Sequence, residues 1–129
     1  MDNEFVFDFE RLEVYQYALE FFSMSFGVFR TMPRDVKYSL GNQLLRASLS
    51  ISNNIAEGSG KLSGKEKKRY YSISLDSCRE CVSVLNALKR EKLLDEKSCS
   101  DMRRKAISIT NMLNGLIKSV KDYKGATTK

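Results

Sequence analysis

Apolar residues in this chain recur in alternating steps of three and four over four long stretches, a period that suits helices and no strand. The first line is Leu12, Tyr15, Leu19, Phe22, Phe26 and Phe29, and the second is Leu40, Leu44, Ala47, Ile51 and Ile55. Tyr71, Leu75, Cys78, Val82, Leu85 and Leu88 form the third, and Met102, Ala106, Ile109, Leu113, Leu116 and Val120 the fourth. Each line is the inner face of an amphipathic helix that must bury it against others. The spacing predicts helices over about 10–31, 36–57, 65–91 and 95–122. Pro33, the single proline, forces a turn after the first. Gly58 and Gly60 close the second. Ser63 and Glu66 read as a capping box at the start of the third, and Asp95 caps the fourth. Four long helices with short connections give an all-α, antiparallel up-down-up-down four-helix bundle, one domain over residues 1–129.

Within the second helix, Gln43, Arg46, Ser50, Asn54 and Glu57 fall on one narrow stripe at about 100° per residue. That stripe borders the apolar line instead of opposing it. Donors and acceptors at the margin of a core need answering groups. Arg46 and Glu57 are about three turns apart, roughly 16 Å along the axis, too far to pair with each other. The stripe is therefore expected to be an inter-helix or inter-subunit polar network. Glu57 as a base and Arg46 as an anion binder would be its catalytic reading, but no second acid, nucleophile or metal set joins them.

Two motifs connect the chain to a known family. Phe9, Leu12, Val14, Tyr15 and Gln16 match Phe-x-x-Leu-x-Val-aromatic-Gln. Gln43, Arg46-Ala47, Ser50-Ile51 and Asn54-Ile55-Ala56-Glu57-Gly58 match a second, longer pattern. Over roughly residues 9 to 120 the chain resembles the small four-helix-bundle proteins named for reading frames in intervening sequences of 23S ribosomal RNA genes. It carries Tyr15 where that family often has Trp. The resemblance implies assembly as a homopentamer. Related bundles serve as accessory proteins to the reverse transcriptases of diversity-generating retroelements, so nucleic acid and such an enzyme are partners implied by the same resemblance.

Charge supports a polyanionic partner on independent grounds. Of the 22 Lys and Arg and 16 Asp and Glu, residues 1–60 hold 5 and 8, leaving 17 and 8 for residues 61–129. The basic half contains the run Lys61, Lys65, Lys67, Lys68 and Arg69, followed by Tyr70 and Tyr71; cations beside aromatic rings suit phosphates and exposed bases, and the alternative is a solvated helix start with the tyrosines turned into the core. Arg103, Arg104 and Lys105 form a second group on the fourth helix, with Asp101 and Glu96 near enough to pair with some of it. Lys89, Arg90 and Lys92 close the third helix, where cations suit the helix dipole.

Other chemistry finds little support. The chain has no His and three Cys, Cys78, Cys81 and Cys99, and the first two sit inside a helical pattern instead of at a helix start. They read as reduced core residues, with no metal and no cofactor. No apolar run approaches ~20 residues, and Asp2 and Glu4 open the chain, so a cytoplasmic protein with no membrane partner is expected. The reading is a non-enzymatic oligomeric bundle that binds nucleic acid, structured RNA above all, through its basic surface. The alternative is an assembly scaffold or accessory subunit for a protein partner such as a reverse transcriptase.

Overall fold

A computed structural model of the protein describes residues 5–121. Four long helices carry the fold: α1 (Glu13–Arg30), α2 (Asn42–Ser59), α3 (Gly64–Arg90) and α4 (Glu96–Ser119). α2 packs on α1, α3 on α2 and α4 on α3, and α4 closes the ring against α1, so the order around the bundle follows the chain. No strand occurs among the described residues. The bundle is all-α.

The beginning of the chain differs from the expected helix at 10. Asp8–Arg11 forms a 3-10 turn, and Leu12 is extended before α1 begins. Phe9 meets the edge of the Tyr15 ring at 5.0 Å, and Gln16 Nε2 donates to the Glu10 carbonyl at 2.9 Å. These contacts, with Val14 buried, give the Phe-x-x-Leu-x-Val-aromatic-Gln motif a local structural role. After Pro33 the chain takes a short turn, Arg34–Val36, then a π-helical turn, Lys37–Gly41, and runs directly into α2. The π turn coincides with a close helix approach. A Cβ on Gly41 would stand 2.8 Å from Phe29 Cδ1 and 2.9 Å from Met32 Sδ.

Three of the four apolar lines face inward as their spacing requires. Leu44, Ala47, Ile51 and Ile55 of α2, Tyr71, Cys78, Leu85 and Leu88 of α3, and Met102, Ala106, Ile109 and Leu113 of α4 are all buried. The line on α1 is different. Its buried residues are Val14, Ala18, Phe21 and Ser25, while Tyr15, Leu19, Phe22 and Phe29 lie half-buried on the flank and Phe26 is 38% exposed. Ala18 and Ser25 are small enough to let α1 come close to its neighbours. The larger rings are left at the rim.

There they stack on one another. Phe22 and Phe26 lie 6.1 Å apart and Phe26 and Phe29 6.2 Å apart, and Tyr38, 66% exposed, meets Phe29 edge-on at 6.1 Å. Arg30 covers Phe26 at 4.8 Å and Lys37 covers Phe29 at 5.0 Å. The result is a strip of aromatic surface on α1 and the π turn.

At its far end α3 stops in a Schellman motif. Leu93 N–H donates to the Leu88 carbonyl at 2.8 Å and Lys92 N–H to Lys89 at 3.0 Å, with Lys92 at a φ of 61°. Asp95 then caps α4, accepting from Ser98 N–H at 2.7 Å and from its hydroxyl at 3.1 Å. Those hydrogen bonds, the backbone one first, hold the Asp95 carboxyl below its usual range. No helix among the described residues is long and apolar enough to cross a membrane.

Candidate nucleic-acid interface

The basic run lies where α2 hands over to α3. The last turn of α2 closes with Gly60 N–H donating to the Glu57 carbonyl at 3.2 Å and Lys61 N–H to Gly58 at 3.1 Å. Ser63 caps α3, its hydroxyl accepting from Glu66 N–H at 3.1 Å. The Glu66 carboxylate turns sideways to Arg69, 3.7 Å away, so one half of the expected box is built. Gly64 is pressed against the Lys121 carbonyl and the Val120 side chain, which seats the end of α4 on this connection.

The five cations have separate fates. Lys67 reaches back and donates to the Ser59 carbonyl at 2.9 Å, with Gly58 O at 3.5 Å. It thereby satisfies the Ser59 carbonyl left orphaned at the end of α2 and places its charge on that helix's negative pole. This resolves an apparent conflict in the sequence, a lysine in a first helical turn, because the ammonium serves the preceding helix. Lys61 pairs with Glu57 at 3.5 Å and lies 5.0 Å from the Tyr70 centroid, and Arg69 lies 5.1 Å from the same centroid. Tyr71, by contrast, points into the core, where burial first and the Asp8 carboxylate second push its hydroxyl pKa up. Lys65 is exposed and Lys68 half-buried, and neither has a hydrogen bond or ion pair within the described residues.

Arg103, Arg104 and Lys105 do not join this site. Arg103 donates to Asn86 Oδ1 at 3.0 Å, Arg104 pairs with Asp101 at 3.1 Å, and Lys105 pairs with Glu20 of α1 at 2.5 Å while lying 4.2 Å from the Tyr17 centroid. Glu96 pairs with Lys89 at 3.4 Å instead. Asn86 is 21 residues beyond Lys65 on the same helix, or roughly 30 Å along its axis. The two basic groups are therefore at different ends of the bundle. Lys121 and Asp8, which sequence spacing did not associate with the site, reach its end of the bundle through the close of α4 and the 3-10 turn.

The polar stripe on α2 divides in the same way. Ser50 shares a hydrogen bond with Ser77 of α3 at 2.8 Å, and Asn54 Nδ2 donates to the Ser50 carbonyl and hydroxyl at 2.9 and 3.0 Å. Glu57 has turned to Lys61. Gln43 and Arg46 are exposed, with no hydrogen bond or ion pair within the described residues. A buried polar contact that the stripe did not include is Ser74, whose hydroxyl donates to the Ile51 carbonyl at 2.8 Å.

Cys78, Cys81 and Cys99 are all buried and unbridged. Burial pushes the Cys78 and Cys81 thiols up, an effect that the Thr110 hydroxyl, 3.6 Å from Cys78 Sγ, partly opposes for Cys78. Such thiols are poor nucleophiles. Among the described residues no group of three or more His, Cys, Asp or Glu side chains is placed to hold a metal ion.

The family model for the 23S rRNA-intervening sequence protein matches residues 10–115, most of the chain and nearly all of both its motifs. The chain belongs to this family. Among solved structures, a protein of unknown function of the S23 ribosomal protein family from Bacteroides thetaiotaomicron superposes with a TM-score of 0.77 at 22% identity, over 82% of this chain and 96% of that one. At that identity the likeness establishes the shared fold. None of the curated proteins compared with the chain matches it. Neither the family description nor the name of the structural neighbour specifies a reaction.

Proposed function

We propose that this 23S rRNA-intervening sequence protein is a non-enzymatic, oligomeric bundle that binds structured RNA through the end formed by the α2–α3 connection. The observation that carries the reading is the pair Lys65 and Lys68, two cations uncommitted within the described residues, beside Tyr70 with Lys61 and Arg69 about its ring. Charges with no internal partner are available to phosphates, and cations around an aromatic ring are a recurring arrangement for unpaired bases. The double substitution Lys65→Gln/Lys68→Gln tests it by filter binding of a structured RNA across a salt series. One phosphate per lysine lowers the slope of log K against log salt by about 1.4 to 1.8. An unchanged slope, or a wild type that binds no RNA, overturns the reading.

A second reading, assembly with further copies or with a protein such as a reverse transcriptase, is favoured by the aromatic strip on α1. Exposed rings around Phe26 and Tyr38, rimmed by Arg30 and Lys37, have the composition of an interface centre. Gln43 and Arg46, unanswered on the outer side of α2, would belong to the same contact between subunits. We expect the homopentamer implied by the family resemblance. Light scattering at micromolar concentration checks this, and a monomer refutes it.

A further inference from the structure

The connection between α2 and α3 ends in a side chain with no structural use. Leu62 is 92% exposed, flanked by Lys61 and Ser63 at the apex of the turn. An isolated surface leucine ordinarily needs no explanation. This one is distinguished by how firmly the turn around it is built. On one side Gly60 and Lys61 complete the last turn of α2 through bonds of 3.2 and 3.1 Å, and Lys67 ties Ser59 to the first turn of α3 at 2.9 Å. On the other, Ser63 caps α3 at 3.1 Å and Gly64 has no room for a Cβ against Lys121 and Val120. A short connection clamped on both sides presents its apolar tip in a fixed direction, with little ordering entropy left to lose on binding.

The neighbours of that tip are cationic. Lys61 adjoins it in sequence, and Lys65 and Lys68 follow at intervals of three on the first turns of α3. Lys61 and Arg69 are kept near Tyr70, at 5.0 and 5.1 Å from its centroid. The acids nearby, Glu57 and Glu66, are occupied by Lys61 and Arg69. A uniform phosphate-tracking surface has no need of an exposed aliphatic group at its apex. Nucleic-acid binders that distort or open a helix do insert one, and leucine is among the residues that serve.

We propose that Leu62 is a wedge that enters an unstacked step of bound RNA, at a bulge or a helix–loop junction, while Lys65 and Lys68 hold the neighbouring phosphates. The proposal rests on the RNA-binding reading and adds selectivity for interrupted over continuous helices. That selectivity belongs to one side chain. It is independent of the number of phosphates contacted.

The test compares an RNA hairpin containing a bulge with the same hairpin fully paired, using the full chain and Leu62→Gln. The wild type is expected to prefer the bulged hairpin. Leu62→Gln should reduce that preference by about tenfold, the order expected from losing part of the burial of one leucine side chain, with the salt slope on either RNA unchanged. Because the chain contains no Trp, Leu62→Trp supplies a single reporter whose emission should change on the bulged hairpin and stay as it is on the paired one. Leu62 enters no core, so both variants should retain the wild-type circular dichroism spectrum.

Equal loss of affinity for both hairpins, or no loss, overturns the wedge while leaving RNA binding in place. Absence of RNA binding by the wild type overturns both proposals. If the indole emission of the Leu62→Trp variant changes with anionic phospholipid vesicles but with neither hairpin, the tip belongs to a lipid surface and the wedge is refuted as well.

Discussion

Lys67 and its neighbours Lys65 and Lys68 are close in sequence and separable in function, and Lys67→Gln is the substitution that tests the distinction. The Lys67 ammonium donates to the Ser59 carbonyl at 2.9 Å at the end of α2. A charged hydrogen bond contributes about 1.5 to 3 kcal/mol when fully buried, and half-exposure, which lets water replace part of it, reduces this to about 1 to 2 kcal/mol. Removing a cation from the first turn of α3 returns about 0.3 to 1 kcal/mol, since positive charge opposes that helix's dipole. The net loss is about 1 kcal/mol, or about 3 to 5 °C in Tm for a domain of this size. Thermal unfolding followed by circular dichroism measures it. The salt slope of RNA binding should not move, because the ammonium is already committed to carbonyl groups. Lys65→Gln/Lys68→Gln should give the converse, an unchanged or slightly raised Tm with a reduced slope. If Lys67→Gln leaves Tm unaltered and cuts the salt slope, the assignment of Lys67 to the end of α2 is wrong.

Three further outcomes follow from the same geometry. The Ser25 hydroxyl is fully buried in α1 with no hydrogen-bond partner among the described residues, so Ser25→Ala should stabilise the fold by about 1 kcal/mol in a denaturant titration; destabilisation would mean that the hydroxyl has a partner. Lys92 holds a left-handed conformation at a φ of 61°, so Lys92→Gly should gain about 1 kcal/mol by relieving the Cβ conflict, and a lower denaturation midpoint would count against the Schellman geometry. The Cys78 and Cys81 thiols should react with a thiol reagent only after unfolding, and rapid labelling of the native protein would contradict their burial. Because their folded pKa values are raised above the ordinary value of 9.0, the unfolded chain releases protons first as pH increases. Their contribution is complete below about pH 9 and declines above it; alkaline stability that stays flat between pH 8 and about 11 would refute this.

The bundle was legible in the sequence. A period of three and four repeated over four segments leaves each with one apolar face, and Pro33, Ser63 and Asp95 mark the turn and the two caps by chemistry that acts within a few residues. Such local signals survive without tertiary information. Two adjacent lines on α1 were both able to face inward, and hydrophobicity alone favoured the one rich in phenylalanine. Packing selected Val14, Ala18, Phe21 and Ser25, a line in which small and medium side chains leave room for a single ring. That choice produced the aromatic strip. The basic run was likewise legible as a concentration of charge, but which ammonium caps a helix, which pairs with an acid and which remains available depends on carbonyls and carboxylates brought near by the turn. Lys67, Lys61 and Lys65 are the same residue type within one short segment, and folding gives them three different environments.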